Sequence, residues 1–89
     1  MLIPIYKNRF KKEVELSKKR GKNTSKLRSI ISKLINEEKL EKKYADHELA
    51  GDYVGYRECH IENDWLLIYK INKKEIIFCR TGTHSDLFR

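Results

Sequence analysis

The three histidines of this chain, His47, His60 and His84, each sit near a charged or aromatic residue. His47 follows Asp46, His60 stands two residues after Glu58 and four before Asp64, and His84 lies midway between Arg80 and Phe88. An imidazole of unperturbed pKa about 6.5 can both give and take a proton near neutrality. Cleavage of RNA by attack of its own 2′-hydroxyl needs that ability twice. One group removes the 2′ proton, another protonates the departing 5′ oxygen, and a cation steadies the charge growing on phosphorus. Histidines, an acid and an arginine converging in a basic protein supply that set. DNA, lacking the 2′-hydroxyl, could not react this way.

Each of these residues also has an ordinary reading. His47 suits a surface turn, His60 a strand face in water, Asp64 a turn, and Arg80 a surface cation. Tyr44, Tyr53 and Tyr56 could stack on bases, but aromatics beside strands usually fill cores or cover sheet edges. No HxH or HExxH spacing marks a metal site, so neither a metal nor a cofactor is expected. Cys59 and Cys79 are not spaced as CxxC and sit in apolar runs, which fits reduced, structural thiols.

The elements that must position these groups follow from periodicity. Leu2–Tyr6 reads as a short strand, at a sheet edge because Pro4 cannot donate to a ladder. Arg9–Arg20 is helical in character, with Gly21 as its stop. Leu27, Ile30, Ile31, Leu34 and Ile35 form one stripe of a second helix, for which Asn23, Thr24 and Ser25 are N-cap candidates. Residues 39–52 read as irregular. Strands follow at Tyr56–Ile61, Trp65–Ile71 and Glu75–Thr81, separated by turn-length breaks. Alternation places Tyr56, Glu58 and His60 on one face of the first of these, with Cys59 and Ile61 turned toward the helices. In the last strand Phe78 and Arg80 are expected to share a face. The order β-α-α-β-β-β predicts one α+β domain over residues 1–89, a small antiparallel β-sheet with two N-terminal helices packed on one face.

Charge is divided unevenly. Residues 1–45 carry 14 Lys and Arg against 5 acids, whereas residues 46–89 carry 6 against 8. The basic half would attract a polyanion, either nucleic acid or an acidic protein, although a solvated lysine-rich surface has the same composition. No window approaches the roughly 18–20 apolar residues of a membrane span, so no membrane partner is expected and the expected location is the cytoplasm.

From residue 46 the chain reads DHELAGDYVGYRECHIENDWLLIYK and then IIFCRTGTHSDLF. The DHxL segment, the aromatic-R-[ED]-x-H strand, DWLLIYK and the closing RTGTH…LF resemble the YafQ branch of the RelE-like toxins of bacterial type II toxin–antitoxin systems. The first half matches in element order, length and basic helices. The resemblance implies a ribosome-dependent endoribonuclease that cuts mRNA and inhibits translation. It implies catalytic positions at His47, His60, Asp64 and His84, a phosphate-contacting Arg80, and a substrate-side aromatic at Phe88. Glu58 takes an acidic position beside the site and is counted with Arg80 and Phe88 among the substrate-binding residues. Implied partners are a cognate antitoxin, the ribosome and mRNA, with promoter DNA met only through the antitoxin complex. The competing readings are a non-catalytic basic RNA- or DNA-binding regulator, and a toxin relative retaining only antitoxin binding.

Overall fold

The computed structural model describes residues 1–88; Arg89, the end of the expected domain, lies outside them. The chain forms β1 (Ile3–Tyr6), α1 (Asn8–Lys19), α2 (Thr24–Ile35), β2 (His47–Glu48), β3 (Arg57–Glu62), β4 (Trp65–Asn72), β5 (Glu75–Gly82) and α3 (His84–Leu87). Single 3-10 turns at Lys42–Tyr44 and Gly51–Tyr53 lie between α2 and β3. One sheet runs in the order β1-β5-β4-β3-β2. The α+β architecture and the placement of both N-terminal helices on one face are as expected.

The helix boundaries have local causes. Gly21 follows α1 at φ +84°, a left-handed conformation that Gly adopts without steric cost. Of the three candidate caps, Asn23 acts: its side chain accepts the Ser25 N–H at 3.0 Å. The predicted stripe of α2 then buries Leu27, Ile30 and Leu34 with Phe10 of α1 against Cys59, Ile61, Leu67 and Phe78. On the other face Leu66, Ile68 and Leu87 form a second cluster, joined by Tyr53 and Tyr56. Covered on both sides, β4 is buried at every position from Trp65 to Tyr69. Truncating Leu66, Leu67 or Ile68 to Ala is therefore expected to cost about 2–5 kcal/mol.

The sheet departs from expectation in three ways. β1 is the edge strand that Pro4 predicts, but it runs parallel to β5, with Tyr6 opposite Phe78; nearly the whole chain connects the two, so no tight turn forces them antiparallel. The segment read as irregular contains β2, only two residues long, paired antiparallel to β3. Finally, Phe78 and Arg80 do not share a face. The register shifts between Ile68 and Tyr69, so that Phe78 pairs with Tyr69 while Arg80 pairs with Ile68. Cys79 is the extra residue of this bulge. Phe78 consequently enters the helix-side core and Arg80 comes opposite a residue of the second cluster. A second shift, between His60 and Glu62, carries Glu62 to Lys22 and Lys26, its partners at 3.3 and 2.9 Å.

Candidate active site

Alternation along β3 sends Glu58 and His60 to the face away from α1 and α2, as expected. β2 then sets His47 directly opposite Glu58. Glu58 Oε1 lies 3.2 Å from His60 Nε2 and 4.0 Å from His47 Nε2. On that face Glu58 is nevertheless 5% exposed, because the strand missed at His47–Glu48 brings a second imidazole alongside it. A buried carboxylate needs partners, and these imidazoles are within reach. The His47 ring is oriented from behind, its Nδ1 2.6 Å from the carbonyl of Ala45. That contact requires the proton on Nδ1 and leaves Nε2 directed at the Glu58 side.

The turn between β3 and β4 and the end of β5 bring in a second acid–histidine pair. Asp64 Oδ1 accepts both the backbone N–H of His84, at 2.9 Å, and its ring Nδ1, at 2.6 Å. The backbone bond first, and the ring bond second, hold the Asp64 carboxyl below its usual value. Nδ1 of His84 is therefore the proton-bearing nitrogen facing Asp64, and Nε2 is free for chemistry. The His60 and His84 rings are 5.7 Å apart, and those of His47 and His60 are 6.5 Å apart. All four expected catalytic residues thus converge.

His84 opens α3, a one-turn helix absent from the sequence reading. Its signal was present in Thr83-x-x-Asp86, a capping box: Thr83 Oγ1 accepts the Asp86 N–H at 3.1 Å and Asp86 Oδ2 accepts the Thr83 N–H at 3.0 Å. Arg20, at the end of α1, clamps Asp86 from outside at 2.7 Å. That bond first, and the Thr83 N–H second, press the Asp86 carboxyl far below the ordinary carboxylate range. Gly82 serves proximity, since a Cβ there would meet Asp86 Cβ and Oδ2 at 3.0 Å. Phe88 caps α3, 42% exposed, with its ring edge-on to Tyr53 at 5.6 Å and 6.4 Å from the His84 ring.

Arg80 is held differently from the sequence expectation of an open phosphate contact. Its Nε lies 3.0 Å from both oxygens of Glu13 and its Nη2 2.8 Å from one. Glu13 Oε1 also accepts the Thr81 N–H at 3.2 Å. A carboxylate 67 residues away in sequence therefore matches this charge, and nothing in the local sequence around Arg80 announces it. Glu58, His60 and His84 each offer one ligand atom, the three lying within 4.8 Å of one another, so the fold brings together three metal-ligating side chains that linear spacing conceals.

Residues 3–89 match the family described as the bacterial toxin of type II toxin–antitoxin system, YafQ. The mRNA interferase toxin YafQ of Escherichia coli K12 is 45% identical over 84 residues, spanning 93% of this chain and 91% of that one. A crystal structure of the E. coli DinJ–YafQ complex superposes with a TM-score of 0.93 at 42% identity, covering 100% of both chains. A copper-bound mutant toxin from Helicobacter pylori superposes with a TM-score of 0.94 at 36% identity, covering 99% of this chain and 100% of that one.

Proposed function

Since this chain belongs to the YafQ family of type II toxin–antitoxin toxins, we propose that it is an mRNA interferase, an endoribonuclease that cuts mRNA on the ribosome and so inhibits translation. The observation that carries the reading is the convergence of two acid–histidine pairs, Glu58–His60 and Asp64–His84, with the rings of His60 and His84 5.7 Å apart. Proton transfer at both ends of a phosphodiester requires two such groups.

In the proposed reaction the 2′ oxygen attacks the adjacent phosphorus as His60 or His47 takes its proton. The bond from phosphorus to the 5′ oxygen breaks, and His84 delivers a proton to that oxygen from Nε2. The products are a 2′,3′-cyclic phosphate and a 5′-hydroxyl. Asp64 positions His84 through Nδ1 and keeps a negative charge beside the imidazolium. Glu58 positions His60 from its Nε2 side, at 3.2 Å, rather than touching RNA, which accounts for its burial. Arg80, shared with Glu13, stabilises phosphate charge from the rim, and Phe88 stacks on or orients a nucleotide. Acid, base and charge stabilisation all come from side chains in this scheme. A metal ion on Glu58, His60 and His84 would occupy the groups that move protons.

The partners follow from family membership and charge. We infer a cognate antitoxin that covers this domain of residues 1–89, as DinJ is joined with the E. coli YafQ, and contact with promoter DNA only through that complex. The basic faces of α1 and α2 suit ribosomal RNA. The test is induction in cells followed by mapping of mRNA 5′ ends, with wild type compared against His84→Ala. Cuts at a fixed position in the reading frame, lost in His84→Ala, are expected. Scattered cuts, none, or cuts undiminished in a folded His84→Ala would overturn the assignment.

A further inference from the structure

A groove of about 700 Å3 opens beside His60, lined also by Ser25, Lys26 and Ser29 of α2, Lys43, Tyr44 and the end of β3. Its existence follows from the shortness of β2, which pairs only with Glu58 and Arg57. Among the described residues, no strand lies beside the outer edge of β3 from Cys59 to Glu62. We propose that this groove is a subsite for the single-stranded RNA nucleotide next to the cleaved phosphate, resting on the nuclease reading above.

Three features select RNA as the occupant. His60 lines both the groove and the catalytic cluster, so a strand held with its phosphate between His60 and His84 runs directly into it. Lys26 and Lys43 line it, and Lys22 and Lys33 stand behind its lining residues Glu62 and Tyr44, so four cations face Glu41 and Glu62, an excess suited to a backbone phosphate. Tyr44 supplies a ring, with Lys43 Nζ 5.1 Å from its centroid. Lys33 Nζ lies 5.9 Å from the same centroid; cation–π contacts at an exposed site are weak, so both lysines can turn to a phosphate and leave the ring to a base. Unpaired bases are recognised by stacking together with hydrogen bonds to their edges, and an unpartnered strand edge offers backbone groups for the second. An amphipathic antitoxin helix would find little here, because the apolar floor, Ile30 and Ile61, is only 2% and 5% exposed.

The test combines titration with kinetics. Isotope-labelled His84→Ala protein is titrated with an unmodified ribotetranucleotide and followed by NMR; the amides of Ser25, Ser29, Lys43 and Tyr44 are expected to shift along with that of His60. On mRNA-programmed ribosomes, Lys43→Ala and Tyr44→Leu are each expected to raise KM about ten-fold with little change in kcat. Because Tyr44 also packs on the core, Tyr44→Phe is compared for recovery of the lost KM, and Lys43→Ala, at a side chain 66% exposed, stands as the second arm. Shifts confined to His60 and its catalytic neighbours, or an unchanged KM in folded variants, overturn the subsite. Groove amides that move with an acidic antitoxin peptide and not with RNA overturn it in favour of the antitoxin. Cleavage persisting in His84→Ala would fault the nuclease assignment, and the amide shifts would still report on the groove.

Discussion

Removing Glu13 tests whether α1 holds the end of β5 that leads to His84. Its carboxylate accepts the Arg80 guanidinium and the Thr81 N–H. The side chains of Arg80 and Glu13 are only 12% and 16% exposed, so water cannot fully replace either partner. Hydrogen bonds to charged groups contribute about 1.5–3 kcal/mol, and breaking a wholly buried pair costs about 3–5 kcal/mol. At the rim the lower range applies, and Glu13→Ala should lose about 2–3 kcal/mol. For a domain of this size that corresponds to a fall in Tm of roughly 8–24 °C. Glu13→Ala, Arg80→Ala and the double variant, unfolded in urea, should give a coupling energy of about 2 kcal/mol. A coupling below about 0.5 kcal/mol, the value of an exposed ion pair, would refute the clamp.

Three further outcomes follow from the site. Asp64→Asn can keep the acceptor while removing the charge, so cleavage of ribosome-bound mRNA should fall less than in Asp64→Ala, and both less than in His84→Ala; equal losses in Asp64→Asn and His84→Ala would make Asp64 a proton-transfer group itself. Asp86, with its folded pKa depressed by Arg20 and Thr83, contributes stability that is full above the ordinary carboxylate value of about 3.9 and is lost as pH falls through the lower folded value. The Tm of Asp86→Asn should therefore be lower than wild type at pH 7, and the gap should narrow as acid titrates the wild-type group. Copper or zinc added to the purified toxin should inhibit cleavage by occupying Glu58, His60 and His84, with chelator restoring it; inhibition of equal potency in a Glu58→Gln variant would place the metal elsewhere.

Much of the scaffold was legible in linear sequence because its signals are local. The stripe Leu27–Ile30–Leu34 defined the buried face of α2, the turn-length breaks separated β3, β4 and β5, and Pro4 marked an edge. What escaped had weak or distant signals. Two residues, His47 and Glu48, have no periodicity to show, so β2 was invisible before β3 lay beside it. The α3 turn did have a local signal in Thr83 and Asp86, one that the apolar pattern overshadowed.

The identities and order of His47, Glu58, His60, Asp64, Arg80, His84 and Phe88 are properties of the sequence, and with them the kind of chemistry the chain can support. Their alternation on β3 also follows from sequence, since a strand repeats every two residues. Which nitrogen of each imidazole is free, and which charge is already matched, depends on partners far along the chain. The bulge at Cys79 and the reach of Glu13 decide how Arg80 is presented. Likewise, the Asp64 carboxylate can orient His84 only after β4 and β5 have paired across the sheet. Those are properties of register and packing, where one extra residue reverses a face and a helix contributes a charge from 67 positions away.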